Sequence, residues 1–157
     1  MAAGPEARLD ELGVRLPEAP TPAGAYVPAT RAGNLVFTAG QLPFEAGELN
    51  LKGKVGDAVG VDEAREAARL CAINALAAAA TQTGGPSGIS RIIKVTGFVA
   101  SAPGFNAQPQ VVNGASEFLG DVFGDAGLHA RSAVGVAELP MDAPVEVELV
   151  VETAPEA

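Results

Sequence analysis

Residues 130–152 read ARSAVGVAELPMDAPVEVELVVE, and this stretch predicts how the chain folds. Small and β-branched residues dominate Ala130–Glu138, and valine alternates with glutamate in Pro144–Glu152, so we expect both segments to be strands. The residues between them include Pro140 and Asp142, which favour a turn. We therefore predict an antiparallel hairpin.

The apolar pattern of these strands favours a register in which Val134 pairs with Val147. The core face then holds Ser132, Val134, Val136, Val145, Val147 and Leu149, and the opposite face holds Arg131, Ala133, Gly135, Glu146, Glu148 and Val150. Arg131 and Glu146 would lie about 13 Å apart and could bracket a small ligand. Arg131 would bind a carboxylate with two hydrogen bonds, and Glu146 would hold a water or a proton. The alternative is that these charges line a solvated face.

The rest of the sequence predicts three helices and two further strands. The expected helices are residues 5–13, Asp62–Gln82 and Asn106–Phe123, and the expected strands are Asn34–Thr38 and Arg91–Ser101, with a long loop over residues 41–60. We expect Asp62 and Asn106 to cap their helices. Small residues form one stripe of the first long helix, and Cys71 lies on it as a buried apolar side chain rather than a reactive thiol.

This element order is typical of a split βαβ unit in an α+β fold. Two helices would cover one face of a mixed sheet, and no remaining element could cover the other face, which points to an oligomer. Residues 1–22, with four prolines and one short helix, form an N-terminal arm, and residues 23–157 form a single domain.

Composition excludes several classes of function. The 157 residues carry 19 acidic and 10 basic side chains, a formal charge of −9, so we expect no nucleic-acid partner. A single cysteine and a single histidine, His129, exclude cysteine-based zinc sites and sites with two histidines. The longest apolar stretch is interrupted by Asn74 and is too short to cross a membrane, and charges among the first 15 residues argue against a signal peptide. We expect a cytoplasmic protein.

Several motifs resemble the RidA/YjgF family of imine deaminases, formerly called endoribonuclease L-PSP. They are the run from Arg131 to Pro140 followed by Val145-Glu146-Val147-Glu148, the run Gly33-Asn34-Leu35 through Thr38-Ala39-Gly40-Gln41-Leu42-Pro43, the pair Val112-Asn113, and Tyr26. The resemblance covers residues 22–153 or so.

The resemblance implies a chorismate-mutase-like fold and a homotrimer whose sheets pack into a barrel, with clefts between subunits. It implies hydrolysis of 2-imino or enamine acids to 2-oxo acids and ammonia, without a cofactor or a metal. By position, Arg131 would bind the substrate carboxylate and Glu146 would position water. The substrate would also contact Tyr26, Ala39, Gly40, Asn113 and Ala133.

The sequence departs from the family pattern at three site positions. Ala39 stands where studied members have serine, Ala133 where they often have cysteine, and His129 where proline is common. Two alternatives therefore stay open. One is a non-catalytic protein that binds or senses small carboxylates. The other is a related hydrolase acting on a different imine or on an acylated nitrogen.

Overall fold

A computed structural model describes residues 3–19, 21, 22 and 24–155. The elements, in chain order, are α1 (Pro5–Glu11), β1 (Ala29–Ala32), β2 (Leu35–Thr38), α2 (Val61–Ala80), β3 (Ile89–Ala100), α3 (Gln108–Phe123), β4 (Ala130–Val136) and β5 (Val145–Thr153). The strands form one mixed sheet in the order β1-β2-β5-β3-β4. The α+β class expected from the sequence is therefore confirmed.

Both long helices cover the same face of this sheet. Along β5, Val145, Val147, Leu149 and Val151 are buried, whereas the alternate residues are partly exposed. The helices α2 and α3 pack against each other and against the buried side of the strands. On the opposite face Phe37 remains 41% exposed and Val134 remains 44% exposed. The expected arrangement of two helices on one face is confirmed, and no described element covers the other face.

Helix α2 is buried on most of its surface. The small residues of its predicted stripe are all buried, namely Ala64, Ala67, Ala68, Cys71, Ala75 and Ala79. The thiol of Cys71 donates to the carbonyl of Val145, at 3.5 Å. Burial raises the pKa of this thiol well above its ordinary value, and the nearby Glu146 carboxylate raises it further. Cys71 is thus a packing residue.

Both predicted helix caps are wrong by one residue or more. Helix α2 begins after Gly60, whose N–H donates to the Glu63 carboxylate at 3.3 Å, and Asp62 lies inside the first turn. Helix α3 begins after Ala107 rather than Asn106, and no side chain caps it. Proline at the second helical position, Pro109, has no N–H that needs a partner, so a side-chain cap is less necessary there.

Strand β1 is absent from the sequence-based expectation. It forms a hairpin with β2, in which Ala29 pairs with Thr38 and Ala32 pairs with Leu35. Gly33 makes the tight turn with a φ of +61°, a left-handed conformation that glycine adopts without strain. A strand of four residues directly after Pro28 gives too short a pattern to recognise.

The predicted C-terminal hairpin is wrong. Strand β4 pairs in parallel with β3, and β5 pairs antiparallel with both β3 and β2, so β3 lies between β4 and β5. Val134 pairs with Phe98, and Val147 pairs with Gly97. Helix α3 returns the chain from the end of β3 to the start of β4 as a βαβ unit. The predicted faces are therefore correct for β5 and reversed for β4.

Candidate functional site

Arg131 lies on the helix-covered face of the sheet. It pairs with Val95, which in turn pairs with Leu149, and paired residues of a sheet point to the same side. Its Nη1 donates to Asn113 Oδ1 at 2.7 Å and to Ser116 Oγ at 3.2 Å, both on α3. Its Nη2 approaches the Pro109 carbonyl at 3.4 Å. Helix α3 therefore fixes the guanidinium near the start of the edge strand β4.

His129 extends this hydrogen-bond network. Its Nδ1 lies 2.6 Å from the Gly127 carbonyl and its Nε2 lies 2.9 Å from Ser116 Oγ. A carbonyl only accepts, so in the neutral ring Nδ1 carries the hydrogen and Nε2 accepts from the Ser116 hydroxyl. The Ser116 oxygen then accepts from Arg131. His129 and Ser116 thus orient the arginine through one continuous chain of donors.

The remaining donors of Arg131 suit a carboxylate ligand. Both Nη1 hydrogens and one Nη2 hydrogen point to Asn113, Ser116 and Pro109. Within the described part of the chain, no partner takes Nε–H or the second Nη2–H. A guanidinium held in one orientation with two such donors can bind a carboxylate with less loss of side-chain entropy.

Glu146 lies on the uncovered face of the sheet. It pairs with Phe98, the residue that also pairs with Val134. Burial raises the pKa of the Glu146 carboxyl, and the carboxylate of Glu148 raises it further. A group of this kind holds its proton closer to neutral pH, which suits a general acid or base.

A β-bulge brings the backbone of Gly40 against Glu146. The pairing of β2 with β5 joins Val36 to Val151 but then Gln41 to Val147, so one extra residue lies in between. A Cβ atom on Gly40 would collide with the Glu146 carboxyl group. A side chain at this position would displace the carboxylate, so glycine allows the carboxylate to approach the backbone closely.

Glu146 opens into a cavity of about 620 Å³. Its lining comes from the N-terminal arm, the loop after β2 and the β4–β5 connection, and consists of Pro17, Glu18, Thr21, Pro22, Tyr26, Pro28, Gly40, Gln41, Leu42, Phe44, Ala46, Gly47, Asn74, Pro140, Met141 and Glu146. Three of the predicted site residues, Tyr26, Gly40 and Glu146, meet here. None of these lining residues is basic.

The expectation that Arg131 and Glu146 share one face is wrong. They point to opposite faces of the sheet, and β4 and β5 lie two strand spacings apart, about 10 Å. The predicted register failed because it paired two strands that are separated by β3. Arg131 and Glu146 therefore cannot bracket one small ligand within a single protomer.

The other predicted site residues divide between these two locations. Asn113 contacts Arg131 directly, and Ala133 packs against the core two residues further along β4. Ala39 is partly buried, and its N–H donates to the Pro28 carbonyl at 2.8 Å. Ala39 does not line the cavity around Glu146.

Sequence reasoning missed Ser116 and the apolar walls of the cavity. Ser116 follows Asn113 by three residues on α3, and residues three apart share a helix face. Helical spacing from Asn113 could therefore have indicated Ser116. The walls, including Phe44 and Met141, come together only through loop packing. Within residues 3–19, 21, 22 and 24–155, no cluster of three acidic, cysteine or histidine side chains could hold a metal. No helix in those ranges is long and apolar enough to span a membrane.

Comparison with known proteins matches residues 6–153 to the family described as "YjgF/chorismate_mutase-like, putative endoribonuclease". Protein TCP17 of Trypanosoma cruzi is 40% identical over 147 residues, which are 93% of this chain and 92% of TCP17. A 2-iminobutanoate/2-iminopropanoate deaminase of Dermatophagoides farinae is 32% identical, over 88% of this chain and 93% of its own length. The crystal structure of an Agrobacterium tumefaciens protein of unknown function superposes with a TM-score of 0.88 and 48% identity, over 96% of this chain and 92% of that one. The chain therefore belongs to the YjgF/chorismate-mutase-like family.

Proposed function

We propose that the protein hydrolyses reactive 2-imino and enamine acids to 2-oxo acids and ammonia. The observation that supports this proposal is that one side of the sheet carries a guanidinium suited to a carboxylate, and the other side carries a carboxyl group suited to proton transfer. Arg131 is a fixed guanidinium with donors left for a carboxylate, and Glu146 is a carboxyl of raised pKa in a cavity. The similarity to a relative named as an imine deaminase supports the same reaction.

The reaction needs little more than these two groups. An imine carbon is already electrophilic, so orienting one water against it supplies much of the rate enhancement. Glu146 accepts a proton from the attacking water as the water oxygen bonds to the carbon of the protonated imine, and the C=N electron pair moves to nitrogen to give a neutral carbinolamine. Glu146 passes this proton to the amino nitrogen. It then accepts the carbinolamine O–H proton as the C=O bond forms, the C–N bond breaks and ammonia leaves. Arg131 holds the carboxylate throughout.

We further propose that each site combines Arg131 of one subunit with Glu146 of its neighbour in a homotrimer. Within one protomer the two side chains point to opposite faces, so one ligand meets both only if a second chain contributes. The protomer exposes the two surfaces that such an interface would join. Arg131 lies on the edge strand β4, and the sheet face of Glu146 carries exposed Phe37 and Val134.

The first test is a coupled assay in which an amino-acid oxidase or a dehydratase generates the imines of alanine and 2-aminobutyrate. We expect wild-type protein to accelerate release of 2-oxo acid and ammonia. Arg131→Ala and Glu146→Gln should each lower kcat/KM by about 10²-fold or more. If Glu146→Gln turns over as fast as wild type, Glu146 has no part in the mechanism.

A mixing experiment tests the shared site. Arg131→Ala and Glu146→Gln subunits, each inactive alone, are unfolded together and refolded in equal amounts. Random assembly makes about three quarters of the trimers mixed, with one intact site of three in each, so about a quarter of wild-type activity should return. Sites contained within one protomer would give no recovery.

One observation also favours binding without catalysis. The donors left on Arg131 depend on α3 and not on Glu146, so a small carboxylate could bind whether or not turnover follows. Calorimetry with 2-oxobutanoate separates the two functions. A protein that binds this acid but does not accelerate hydrolysis of any imine is a binding or sensing protein.

A further inference from the structure

The cavity beside Glu146 is too large for an alanine-sized imino acid alone. Its volume is about 620 Å³, within the range of about 300–1,000 Å³ that accommodates much larger ligands. One water occupies about 30 Å³ in the liquid, so the cavity has space for many times the volume of a methyl or ethyl side chain.

The lining is mostly apolar. Tyr26, Leu42, Phe44 and Met141 supply aromatic and aliphatic surface, and prolines from the arm add to it. Tyr26 and Met141 are 55% and 57% exposed, an unusual state for large apolar residues that meet at one location. No basic residue lines the cavity, so the substrate carboxylate has no cationic partner inside it. The cavity is therefore suited to the side chain of the imino acid rather than to its carboxylate.

The N-terminal arm is held in place as a wall of this cavity. Leu9 of α1 is buried in the core, and Leu16 packs against the same core. The Glu6 carboxylate accepts from the N–H of Ser87 at 2.9 Å and also from its hydroxyl. These contacts fix the arm immediately before Pro17, the first arm residue that lines the cavity.

We propose that the preferred substrates are imino or enamine acids with a large apolar side chain, branched or aromatic, which occupies this cavity while the carboxylate binds Arg131. The proposal rests on the hydrolytic function above and adds its specificity. Burying such a side chain lowers the free energy of the bound state through the apolar area removed from water. The arm then sets the size limit through Pro17.

The test compares imines made in place from alanine, leucine and phenylalanine by an amino-acid oxidase. We expect kcat/KM for the leucine- and phenylalanine-derived imines to exceed that for the alanine-derived imine by about tenfold or more. Pro17→Trp should lower the ratio of leucine to alanine kcat/KM by about tenfold, because the indole enters the cavity. Arg15→Trp, on the same arm but outside this cavity, should leave the ratio unchanged.

The outcomes separate specificity from function. Faster hydrolysis of the alanine-derived imine than of the larger ones, or equal rates, overturns the specificity and leaves the deaminase function standing. No acceleration of any of the three imines overturns the function itself.

Discussion

Glu146 is a partly buried carboxyl that lies beside another carboxylate, and no ion pair to it occurs among the described residues. Its pKa in the folded protein is raised above the ordinary value of a glutamate, so the folded state favours the protonated form. Its contribution to stability is therefore fully present at pH values below the ordinary pKa of the unfolded chain. It is lost as the pH rises through the folded-state pKa.

Glu146→Gln should accordingly make the protein inactive and more stable. We expect the variant to melt at the same temperature as wild type at pH 4 and a few degrees higher at pH 8. A change of about 1 kcal/mol shifts the midpoint of a domain this size by about 2–4 °C. Calorimetry over this pH range measures the difference. Glu152 lies on the same strand as Glu146, and Glu152→Gln removes its ion pair with Arg91 of β3. This variant should not be more stable than wild type, and an equal gain in stability would contradict the explanation.

In the proposed site, Ser116 acts on the substrate only through Arg131. Ser116→Ala removes one acceptor of the guanidinium and leaves Asn113 in place, so Arg131 should become less well oriented. We expect KM to rise about 3–10-fold with kcat nearly unchanged, since a hydrogen bond to a charged group contributes about 1.5–3 kcal/mol at most. Ser116→Thr keeps the hydroxyl and should restore KM. A loss in kcat alone would argue against a positioning role.

At the scale of elements, the contact between α2 and α3 depends on one glycine. A Cβ atom on Gly114 would collide with the backbone carbonyl of Arg65, which cannot move without displacing α2. Gly114→Ala should therefore destabilise the protein by about 3 kcal/mol, the upper end of the usual cost of overpacking.

The same substitution one and a half turns later provides the control. Gly120 lies on α3 with open space around its Cβ position. Gly120→Ala should stabilise the protein by up to about 1 kcal/mol, because alanine is the better helix former. Chemical denaturation of both variants measures the two effects. The two changes in the free energy of unfolding need not be equal in size. Destabilisation by Gly120→Ala would refute the explanation.

The sequence predicts the elements better than their pairing. In β5 valine alternates with glutamate, so the buried face is unambiguous. In β4 small residues such as Ser132, Ala133 and Gly135 occur on both faces, so alternation does not define a face. Local turn residues favoured a hairpin, whereas the actual pairing depends on α3. Val112 of that helix packs directly on Gly97 of β3, a contact between distant parts of the chain.

For the candidate site too, the sequence indicates individual residues better than their arrangement in space. The strand pattern indicated Arg131 and Glu146 as candidates, and the family resemblance added Tyr26 and Gly40. The separation of Arg131 from Glu146 and the cavity walls depend on strand order and loop packing, which no local pattern specifies. Ser116 is the intermediate case, because helical spacing from Asn113 would have indicated it.

At the scale of the whole molecule, the uncovered sheet face is the expected subunit interface. Val134→Glu would place an unpaired charge on this face, so we expect this variant to be a folded protomer without activity. Light scattering after size-exclusion chromatography measures the mass. Leu12→Glu, which changes an exposed apolar residue on the arm, should leave a trimer. A wild-type protein that remains monomeric at micromolar concentration would refute the assembly.

In the shared site that we propose, the placement of Arg131 and Glu146 on opposite faces of one sheet makes catalysis a collective property. A newly synthesised chain would then carry both groups but no complete site, and it would become an enzyme only on assembling with copies of itself. Activity should then fall faster than protein concentration on dilution, with no loss of folded structure. A damaged subunit would impair the sites on both of its sides. The concentration of this protein in the cell, rather than the folding of a single chain, would determine when the reaction begins.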